Sequence, residues 1–557
     1  MRRGVLEAFQ GAEGGSVQVL IAPTGYGKTS SVHHAWSTIS ERWGRVVHVL
    51  PLRAIISDAA SKAVERGVPL EDVSYQAAID EVRTEEGERV RKSPYMFSRY
   101  VVTTYDSFSF SLYAAPVAEL SRVLAHRDVG LLAAAGGGVL FDEAHLVMAT
   151  DEADASEEGR KVFTVLCHEI EILSRHLQRP VVIATATLPA PVIRGLAEAL
   201  RGLEVKIHLC LGERGLEYFR GYGLPVEEHG LDPDFESHYE KYRDHVATKV
   251  SKSGLEEDAL EALEEYPRVA VFCNTVARAV EVYRRLRDRA DAELILIHGR
   301  FTESDKNSKI DCIESLLRKG RVLVVSTQVL EAGVDFDFDA VVTEIAAPGA
   351  LIQRAGRAYR HLEKRDGEGL IVVNVSDESL RSATAVYPCE AVEAVARRLS
   401  SALSREGFFD WRFAVGKPSF VDLLAEIKVS PSVDKSLYIP LENLVRIRLL
   451  NEKISKILSE LDELVRGALV RDSALIPVLT ERGVVTVSLD YLERRGGKVL
   501  ELEGGEAKAV FSSGYKRVSL YHLFKEPLTT LHRLTKEEEF RGLKAREGAY
   551  DPEVGLP

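Results

Sequence analysis

A short apolar run that leads into a glycine-containing loop constrains the fold of this 557-residue chain more than any other feature. Residues 17–21 are long enough for one buried strand, and residues 22–29 continue as Ala-Pro-Thr-Gly-Tyr-Gly-Lys-Thr. A loop of this kind turns its backbone N–H groups around a phosphate, and a helix after it adds the positive end of its dipole. The predicted nucleotide ligands are Thr24, Gly25, Tyr26, Gly27, Lys28 and Thr29.

Short β-branched runs recur through the first third of the chain, each followed by turn or polar residues. They are Val46–Leu50, Val101–Thr103, Val139–Phe141 and Val181–Ala184. Strands separated by helical segments indicate a parallel sheet that is covered on both faces. Because ligands of such sheets bind at the carboxyl ends of the strands, the residues directly after these runs are the candidate functional residues.

The third of these runs continues into Asp-Glu-Ala-His at residues 142–145. Asp142 at a strand end can hold Mg²⁺ through water, and Glu143 can orient and polarise an attacking water. Thr185 and Thr187 follow the next strand and can bond to this acidic cluster. The alternative interpretation is an acidic helix start, which the helix dipole favours by itself.

Two other strand ends carry side chains suited to a nucleic-acid backbone. Arg53 offers a guanidinium and Thr104 a hydroxyl to phosphate oxygens. As isolated segments, Pro51–Ala54 and Thr103–Asp106 are also typical of helix caps or turns.

A polar, acidic region from about residue 213 to 267 predicts surface helices that connect two lobes. Apolar runs then resume, without a second phosphate loop. They are Val269–Phe272, Leu294–Ile297, Val322–Val325, Ala340–Thr343 and Leu370–Val373. This set predicts a second sheet.

Residues 353–360 read Gln-Arg-Ala-Gly-Arg-Ala-Tyr-Arg. On a helix, Gln353, Gly356, Arg357 and Arg360 would lie near one face at three- to four-residue spacing. Arginines placed there can reach a γ-phosphate bound by another domain, because guanidinium stays charged and presents a fork of donors. The alternative is a solvated basic helix. The glycine favours an interface, since it costs roughly 1 kcal/mol in a helix.

Composition restricts the partners and the compartment. The net charge of −13 argues against binding nucleic acid by bulk electrostatics but allows a local groove. No apolar run approaches the ~20 residues that span a membrane, and no signal-peptide core follows the first residues, so we expect a cytoplasmic protein without a membrane partner. Five scattered cysteines, without Cys-x-x-Cys, indicate neither a disulfide framework nor a zinc site.

A lobe with a phosphate loop and a lobe with arginine fingers are the parts of an ATP-driven motor. Together the motifs resemble those of the superfamily 2 helicases of the DEAH type, which have two RecA-like domains. Within that superfamily, Asn274–Ala279, His298–Phe301 and Thr327–Asp335 are similar to the CRISPR-associated helicase of type I interference systems. The resemblance covers about residues 15–375.

The resemblance implies a role for each motif, with ATP as the nucleotide and Mg²⁺ bound at Thr29 and Asp142. The residues expected to bind or hydrolyse ATP are Lys28, Thr29, Asp142, Glu143, Gln353, Arg357 and Arg360, with a further nucleotide contact from Asp335. Those expected to contact single-stranded DNA are Arg53, Thr104 and Thr327. The set expected to couple hydrolysis to the rest of the lobe is His145, Thr185 and Thr187.

The expected fold class is α/β, with two tandem RecA-like parallel-sheet domains and a mixed α+β C-terminal accessory domain. The expected boundaries are 1–212, 213–375 and 376–557. In the last region, apolar residues at helical spacing from Leu450 to Val465 predict one amphipathic helix. Short strands are predicted at Val484–Leu489, Val499–Leu502 and Ala509–Phe511.

The expected function is that of an ATP-dependent, 3′-to-5′ single-stranded DNA translocase and helicase, which serves a CRISPR guide-RNA surveillance complex. No His-Asp dipeptide occurs among the 15 histidines, and the phosphate loop starts by residue 22. We therefore expect strand cleavage to come from a separate His-Asp nuclease subunit. The alternatives are another superfamily 2 motor, for DNA repair or RNA remodelling, and an ATP-gated clamp that binds a strand without unwinding it.

Overall fold

The computed structural model describes residues 2–557 except 52, 78, 80, 117–126, 149–156, 332–334, 363–366, 407, 429, 448–453, 471–473 and 536–538. Two large parallel sheets and a smaller mixed sheet follow one another along the chain. This arrangement confirms the expected α/β class with two RecA-like domains and a C-terminal accessory domain. Three parts of predicted segments, residue 52, residues 332–334 and Leu450, lie outside the described residues.

The first domain is built on a ten-stranded sheet of the described chain. Its strands are β1 (Ser16–Ile21), β2 (Val46–Leu50), β3 (Val73–Gln76), β4 (Val82–Arg83), β5 (Arg89–Lys92), β6 (Tyr100–Thr104), β7 (Gly138–Phe141), β8 (Val181–Thr185), β9 (Glu204–Leu209) and β10 (Val226–Glu228). Its helices are α1 (Arg3–Gln10), α2 (Lys28–His34), α3 (Trp36–Trp43), α4 (Arg53–Glu65), α5 (Tyr105–Leu112), α6 (Arg127–Ala134), α7 (Glu157–Ile170), α8 (Ala190–Ala199) and α9 (Glu213–Arg220). The strand order is β10-β9-β1-β8-β7-β2-β6-β3-β5-β4, and every pair except β4–β5 is parallel.

The position of β1 explains why the functional residues converge. It lies between β8 and β9, and all six of its residues are buried. Helices on both faces bury such a strand, which favours apolar residues, and its two polar residues, Ser16 and Gln18, form hydrogen bonds. The carboxyl ends of β1, β7 and β8 lie together, so the residues that follow them meet at one edge.

The second domain has a six-stranded sheet in which every described pair is parallel. Its strands are β11 (Val246–Ser251), β12 (Arg268–Phe272), β13 (Glu293–Ile297), β14 (Val322–Ser326), β15 (Ala340–Glu344) and β16 (Gly369–Asn374), in the order β11-β16-β15-β12-β14-β13. The helices here are α10 (Pro233–Glu236), α11 (His238–His245), α12 (Leu255–Glu265), α13 (Val276–Leu286), α14 (Glu303–Lys319) and α15 (Pro348–Ala355).

The C-terminal region begins with helices that pack on the lobes and ends in a mixed sheet. Its helices are α16 (Asp377–Thr384), α17 (Cys389–Glu406), α18 (Phe420–Leu424), α19 (Lys435–Ile447), α20 (Ile454–Val465), α21 (Leu489–Val499), α22 (Leu520–Lys525) and α23 (Pro527–Thr535). Its strands are β17 (Leu475–Thr480), β18 (Gly483–Ser488), β19 (Leu502–Glu503), β20 (Glu506–Phe511), β21 (Gly514–Ser519) and β22 (Phe540–Lys544). The helix α20 carries the predicted apolar stripe, and Ile457, Leu458, Leu461 and Val465 of that stripe are buried.

Two predictions of local structure differ from the fold. The polar region 213–267 contains two strands besides its helices: β10 extends the first sheet and β11 the second, so the chain changes sheets between Glu228 and Val246. The strand predicted at Val499–Leu502 is instead the end of α21 followed by a two-residue strand. Its apolar residues Val499 and Leu500 are fully buried, and burial of this kind does not distinguish a helix end from a strand.

None of the described helices is both long and apolar enough to cross a membrane.

Candidate functional site

The loop after β1 has the backbone of a phosphate cradle. Gly25 and Gly27 have φ values of 74° and 92°, in the left-handed region that glycine adopts at no steric cost. The helix α2 begins at the next residue, Lys28, which is 8% exposed and whose ammonium donates to the carbonyls of Ala22 at 3.0 Å and Pro23 at 3.2 Å. The ammonium thus lies above its own loop, beside the helix N-terminus.

Thr29 meets the acidic pair across the end of the sheet. Its hydroxyl donates to Asp142 Oδ2 at 2.8 Å, and His48 Nε2 lies 3.2 Å from the same oxygen. Burial raises the pKa of Asp142, but the hydrogen bond and charge of His48 and the charge of Lys28 outweigh it and hold the pKa below its usual value. A hydroxyl beside a carboxylate is an oxygen donor set of the kind that Mg²⁺ takes, so Thr29 and Asp142 fit the predicted metal.

Glu143 has the features of a base. Burial raises its pKa, and the charge of Lys28 opposes that shift only in part. Its Oε2 is buried and has no hydrogen-bond partner among the described residues. Its backbone is left-handed, with φ of 50°, a conformation that a non-glycine residue keeps only where the surrounding structure imposes it.

A hydrogen-bonded path joins the two lobes through His145. Gln353 Nε2 of the second lobe lies 3.2 Å from His145 Nε2, and His145 Nδ1 lies 3.2 Å from Thr185 Oγ1. Burial lowers the pKa of His145 to about 3, so the ring is neutral at neutral pH: it accepts from Gln353 on one nitrogen and donates to Thr185 on the other. The Thr187 hydroxyl has no hydrogen-bond partner in the described chain, but its N–H donates to Thr185 Oγ1.

The expected helix over residues 353–360 is wrong in its C-terminal half. The helix α15 ends at Ala355 with Gly356 as its cap, and Tyr359 has a φ of 53° that turns the chain. Arg357 and Arg360 therefore lie on the turn and not on a helix face. The close approach inferred from Gly356 does exist, because a Cβ added there would lie 3.1 Å from Thr24 Oγ1 of the phosphate loop.

Both arginines are held by their own lobe. Arg357 donates to the carbonyl of Glu331, and burial and the charge of Arg360 lower its pKa to about 9, so it is charged at neutral pH. Arg360 Nε lies 2.8 Å from Asp335 Oδ1. A hydrogen bond from His361, and then the charge of Arg360, hold the pKa of Asp335 far below its usual value despite burial.

A groove with a volume of about 1810 Å³ runs between the lobes and the C-terminal sheet. Eight basic side chains line it against three acidic ones, although the whole chain has a charge of −13. The basic residues are Arg53, Lys92, Arg284, Arg300, Lys306, Arg482, Arg494 and Arg495, and the acidic ones are Glu303, Glu539 and Asp551. Tyr491 adds an aromatic ring, over which the Arg300 guanidinium lies at 4.5 Å.

Of the three residues predicted to contact single-stranded DNA, two line the groove and one does not. Arg53 and Thr327 line the groove, and Arg53 Nη1 lies 3.4 Å from Thr486 Oγ1 of the C-terminal sheet. Thr104 is not among the lining residues: its hydroxyl caps α5, accepting from the N–H of Ser107 at 3.2 Å, and the residue is 3% exposed. The cap interpretation therefore describes its contacts.

Several site residues were not predicted from sequence. Arg412 lies against the phosphate loop, where a Cβ on Gly25 would be 2.9 Å from its Nη2, and it donates to the Arg360 carbonyl at 2.9 Å. No motif surrounds it. Five arginines of the groove were missed as well, Arg284, Arg300, Arg482, Arg494 and Arg495, and for these the adjacent pairs at 284–285 and 494–495 were the available signal.

A parallel-sheet domain with a phosphate loop and a strand-end acidic pair, facing a second such domain that carries arginines, defines a superfamily 2 helicase core. Comparison with known proteins agrees. Residues 5–194 match the DEAD/DEAH box helicase family, and residues 265–363 match the C-terminal family of the CRISPR-associated nuclease/helicase Cas3. The two lobes are therefore similar, in turn, to a DEAD/DEAH box helicase domain and to the C-terminal part of Cas3.

Individual relatives carry the same family name and are longer than this chain. The CRISPR-associated nuclease/helicase Cas3 of Methanothermobacter thermautotrophicus is 27% identical over 390 residues, which are 68% of this chain and 42% of that protein. The crystal structures of T. fusca Cas3 with ADP and with ATP superpose with TM-scores of 0.55 and 0.54, at 19% and 18% identity, over 86% of this chain and 57% and 59% of theirs. The chain thus spans about half the length of these relatives.

Proposed function

We propose that this chain is an ATP-driven translocase and helicase that moves 3′ to 5′ on single-stranded DNA and serves type I CRISPR interference. One observation carries the proposal: the nucleotide site is completed by the second lobe. Gln353 reaches His145 at 3.2 Å and Gly356 packs against the phosphate loop, so events at the phosphates act directly on the position of the lobes.

Each residue has a defined part in this proposal. Lys28 and the N-terminus of α2 neutralise phosphate charge, and Glu143 accepts a proton from the attacking water with its unpartnered oxygen. Thr29 and Asp142 are the residues that would hold Mg²⁺, and the ion would supply positive charge against the charge that develops on the phosphate. Arg357 and Arg360 leave their partners in the second lobe to face the phosphates when the lobes close.

The groove supports a nucleic-acid strand as the other substrate. Its eight basic side chains can follow a phosphate backbone. Arg53 of the first lobe, Thr327 of the second and Tyr491 of the accessory domain share it. A strand bound there would touch all three parts, so movement of the lobes would move the strand.

Unwinding of tailed duplexes tests this function. Wild-type chain with ATP should separate a duplex that has a 3′ single-stranded tail and leave one with a 5′ tail paired. Glu143→Gln, which should still bind both ligands, serves as the inactive control. Strand-stimulated hydrolysis without unwinding of either substrate would favour the clamp, and unwinding of RNA in preference to DNA would favour a remodelling motor.

We propose further that cleavage comes from a separate His-Asp nuclease subunit, and that a guide-RNA surveillance complex delivers the strand. Relatives named nuclease/helicase combine two activities, whereas no His-Asp dipeptide occurs in this sequence. Purified chain incubated with single-stranded DNA, ATP and Mn²⁺, Ni²⁺ or Co²⁺ should leave the strand intact. Metal-dependent cleavage that survives Lys28→Ala would contradict this.

A further inference from the structure

Two histidines on the outer edge of the first sheet face each other nitrogen to nitrogen. His208 lies in β9, and His229 follows the neighbouring strand β10. His208 Nδ1 and His229 Nε2 are 2.9 Å apart. Glu227 of β10 pairs with His208 in the register, and its Oε2 lies 3.4 Å from His208 Nδ1. All three ligand atoms lie within 4.8 Å of one another.

In each ring the nitrogen that points away from the other histidine, here called the far nitrogen, lies near an acceptor oxygen. Gln18 Nε2 donates to the Gly11 carbonyl at 3.2 Å, so its Oε1, at 2.8 Å from His208 Nε2, accepts a hydrogen bond from the N–H of that ring. His229 Nδ1 lies 3.5 Å from Glu7 Oε2, a carboxylate that can only accept. When the far nitrogen of each ring carries the single proton of a neutral imidazole, each of the two facing nitrogens presents a lone pair. Only a cation or an additional proton can lie between them.

We propose that His208, Glu227 and His229 form a binding site for a divalent transition metal, with Zn²⁺ the ion best matched to two imidazoles and one carboxylate. Ligand atoms around tetrahedral zinc lie about 3.3 Å apart, since zinc–nitrogen bonds are about 2.0–2.1 Å. The 2.9 Å and 3.4 Å separations here bracket that value. Gln18 and Glu7 are the outer partners that fix ring tautomers in such sites.

The site is closed on one side and open on the other. His208 is 2% exposed, so its ring lies inside the sheet edge. Glu227 is about half exposed, which gives an ion access from solvent. The ring of His229 is also fixed in place, because a Cβ on Gly4 of α1 would lie 2.7 Å from its Cγ.

The position of the site gives the ion a structural effect. His229 is three residues before Asp232, whose carboxylate accepts from the Tyr26 hydroxyl of the phosphate loop at 2.6 Å. An ion bound by β9 and by the segment after β10 would fix the chain that leads to this contact. The proposal does not depend on the proposed motor function, because its test uses no activity.

Zinc titration of the full-length chain, after metals are stripped with a chelator, tests the site. One zinc ion per chain should remain bound through gel filtration, and it should raise the unfolding temperature. Glu227→Gln should weaken zinc binding by at least about tenfold, and His229→Ala should abolish it. Glu228→Gln, a change of the next glutamate, which pairs with Arg220, is the matched control and should bind as wild type does.

Cobalt provides a second measurement on the same variants. Co²⁺ in a four-coordinate site with nitrogen ligands absorbs visible light strongly, so the wild type and Glu228→Gln should develop this absorption and Glu227→Gln should lose most of it. Since Glu227 lies at the surface, its substitution leaves the fold intact, which far-UV circular dichroism verifies. Absence of stoichiometric zinc from the wild type would overturn the proposal. So would zinc binding that survives both Glu227→Gln and His229→Ala.

Discussion

Replacing Glu143 by glutamine should separate hydrolysis from binding. The amide has the shape of the carboxylate but cannot take a proton from water. A positioned general base contributes about 10²–10⁴-fold in rate, which is about 2.7–5.5 kcal/mol at 1.36 kcal/mol for each factor of ten. Because the Oε2 of Glu143 has no partner among the described residues, no protein hydrogen bond is lost there. The whole effect should fall on turnover.

The same substitution should not destabilise the fold. Burial raises the pKa of Glu143, so the folded chain binds that proton more tightly than the unfolded chain does. For a carboxyl group with a raised pKa, stability is lost as the pH rises through that pKa. Glutamine removes this loss, and the free energy of unfolding at pH 7 should stay the same or rise.

Phosphate release at saturating single-stranded DNA measures turnover, a fluorescent nucleotide measures affinity, and urea unfolding measures stability. Glu169→Gln is the control: Glu169 is a fully buried glutamate of the first domain that lies in α7, away from the acidic pair, and turnover should be that of the wild type. A Glu143→Gln rate within tenfold of wild type would refute the role of the base. Loss of nucleotide binding along with turnover would assign Glu143 to binding instead.

The remaining predictions concern the second lobe, the groove and pH. Alanine at Arg357 or Arg360 should lower ATP turnover by about 10³–10⁵ with little change in nucleotide affinity; a fall in affinity at unchanged turnover would place them in binding. Arg494→Ala should weaken single-stranded DNA binding and reduce its salt dependence by about one ion, whereas the exposed α17 residue Arg397 should tolerate alanine; equal effects would exclude the groove. Burial raises the pKa of Glu169 to about 8, so urea unfolding should show stability falling from pH 5 to pH 8, and Glu169→Gln should remove that slope.

Ten of the sixteen described strands of the two large sheets were predictable because their sequences leave little choice. Val46–Leu50 is β2 residue for residue, and the other nine predicted runs of the two sheets lie inside observed strands. Parallel strands covered on both faces need continuous apolar residues, and turn residues limit their length. The strand β10 was missed because it is three residues long and mostly exposed, so no buried face leaves a pattern in its sequence.

The candidate site was predictable where a motif spans consecutive residues, and unpredictable where contacts come from distant parts of the chain. The phosphate loop and the acidic pair each follow directly after one strand, so they could be predicted from the position of that strand in the sequence. Arg412 meets Gly25 only through the packing of the C-terminal region on the first lobe. Turn geometry was the other limit: the helix ends at Ala355, and Tyr359 adopts a left-handed φ within the turn that follows, a conformation that the residue type does not predict.

The central claim, that nucleotide turnover between the lobes moves a strand through the groove, is tested most directly by translocation on DNA strands of increasing length. The strands carry a fluorophore at the 5′ end, and arrival of the chain is followed after ATP is added. The proposed motor predicts a lag that grows linearly with strand length, is absent when the fluorophore is at the 3′ end, and disappears with Glu143→Gln. ATP hydrolysis that is stimulated by DNA but gives no length-dependent lag at either end would contradict it.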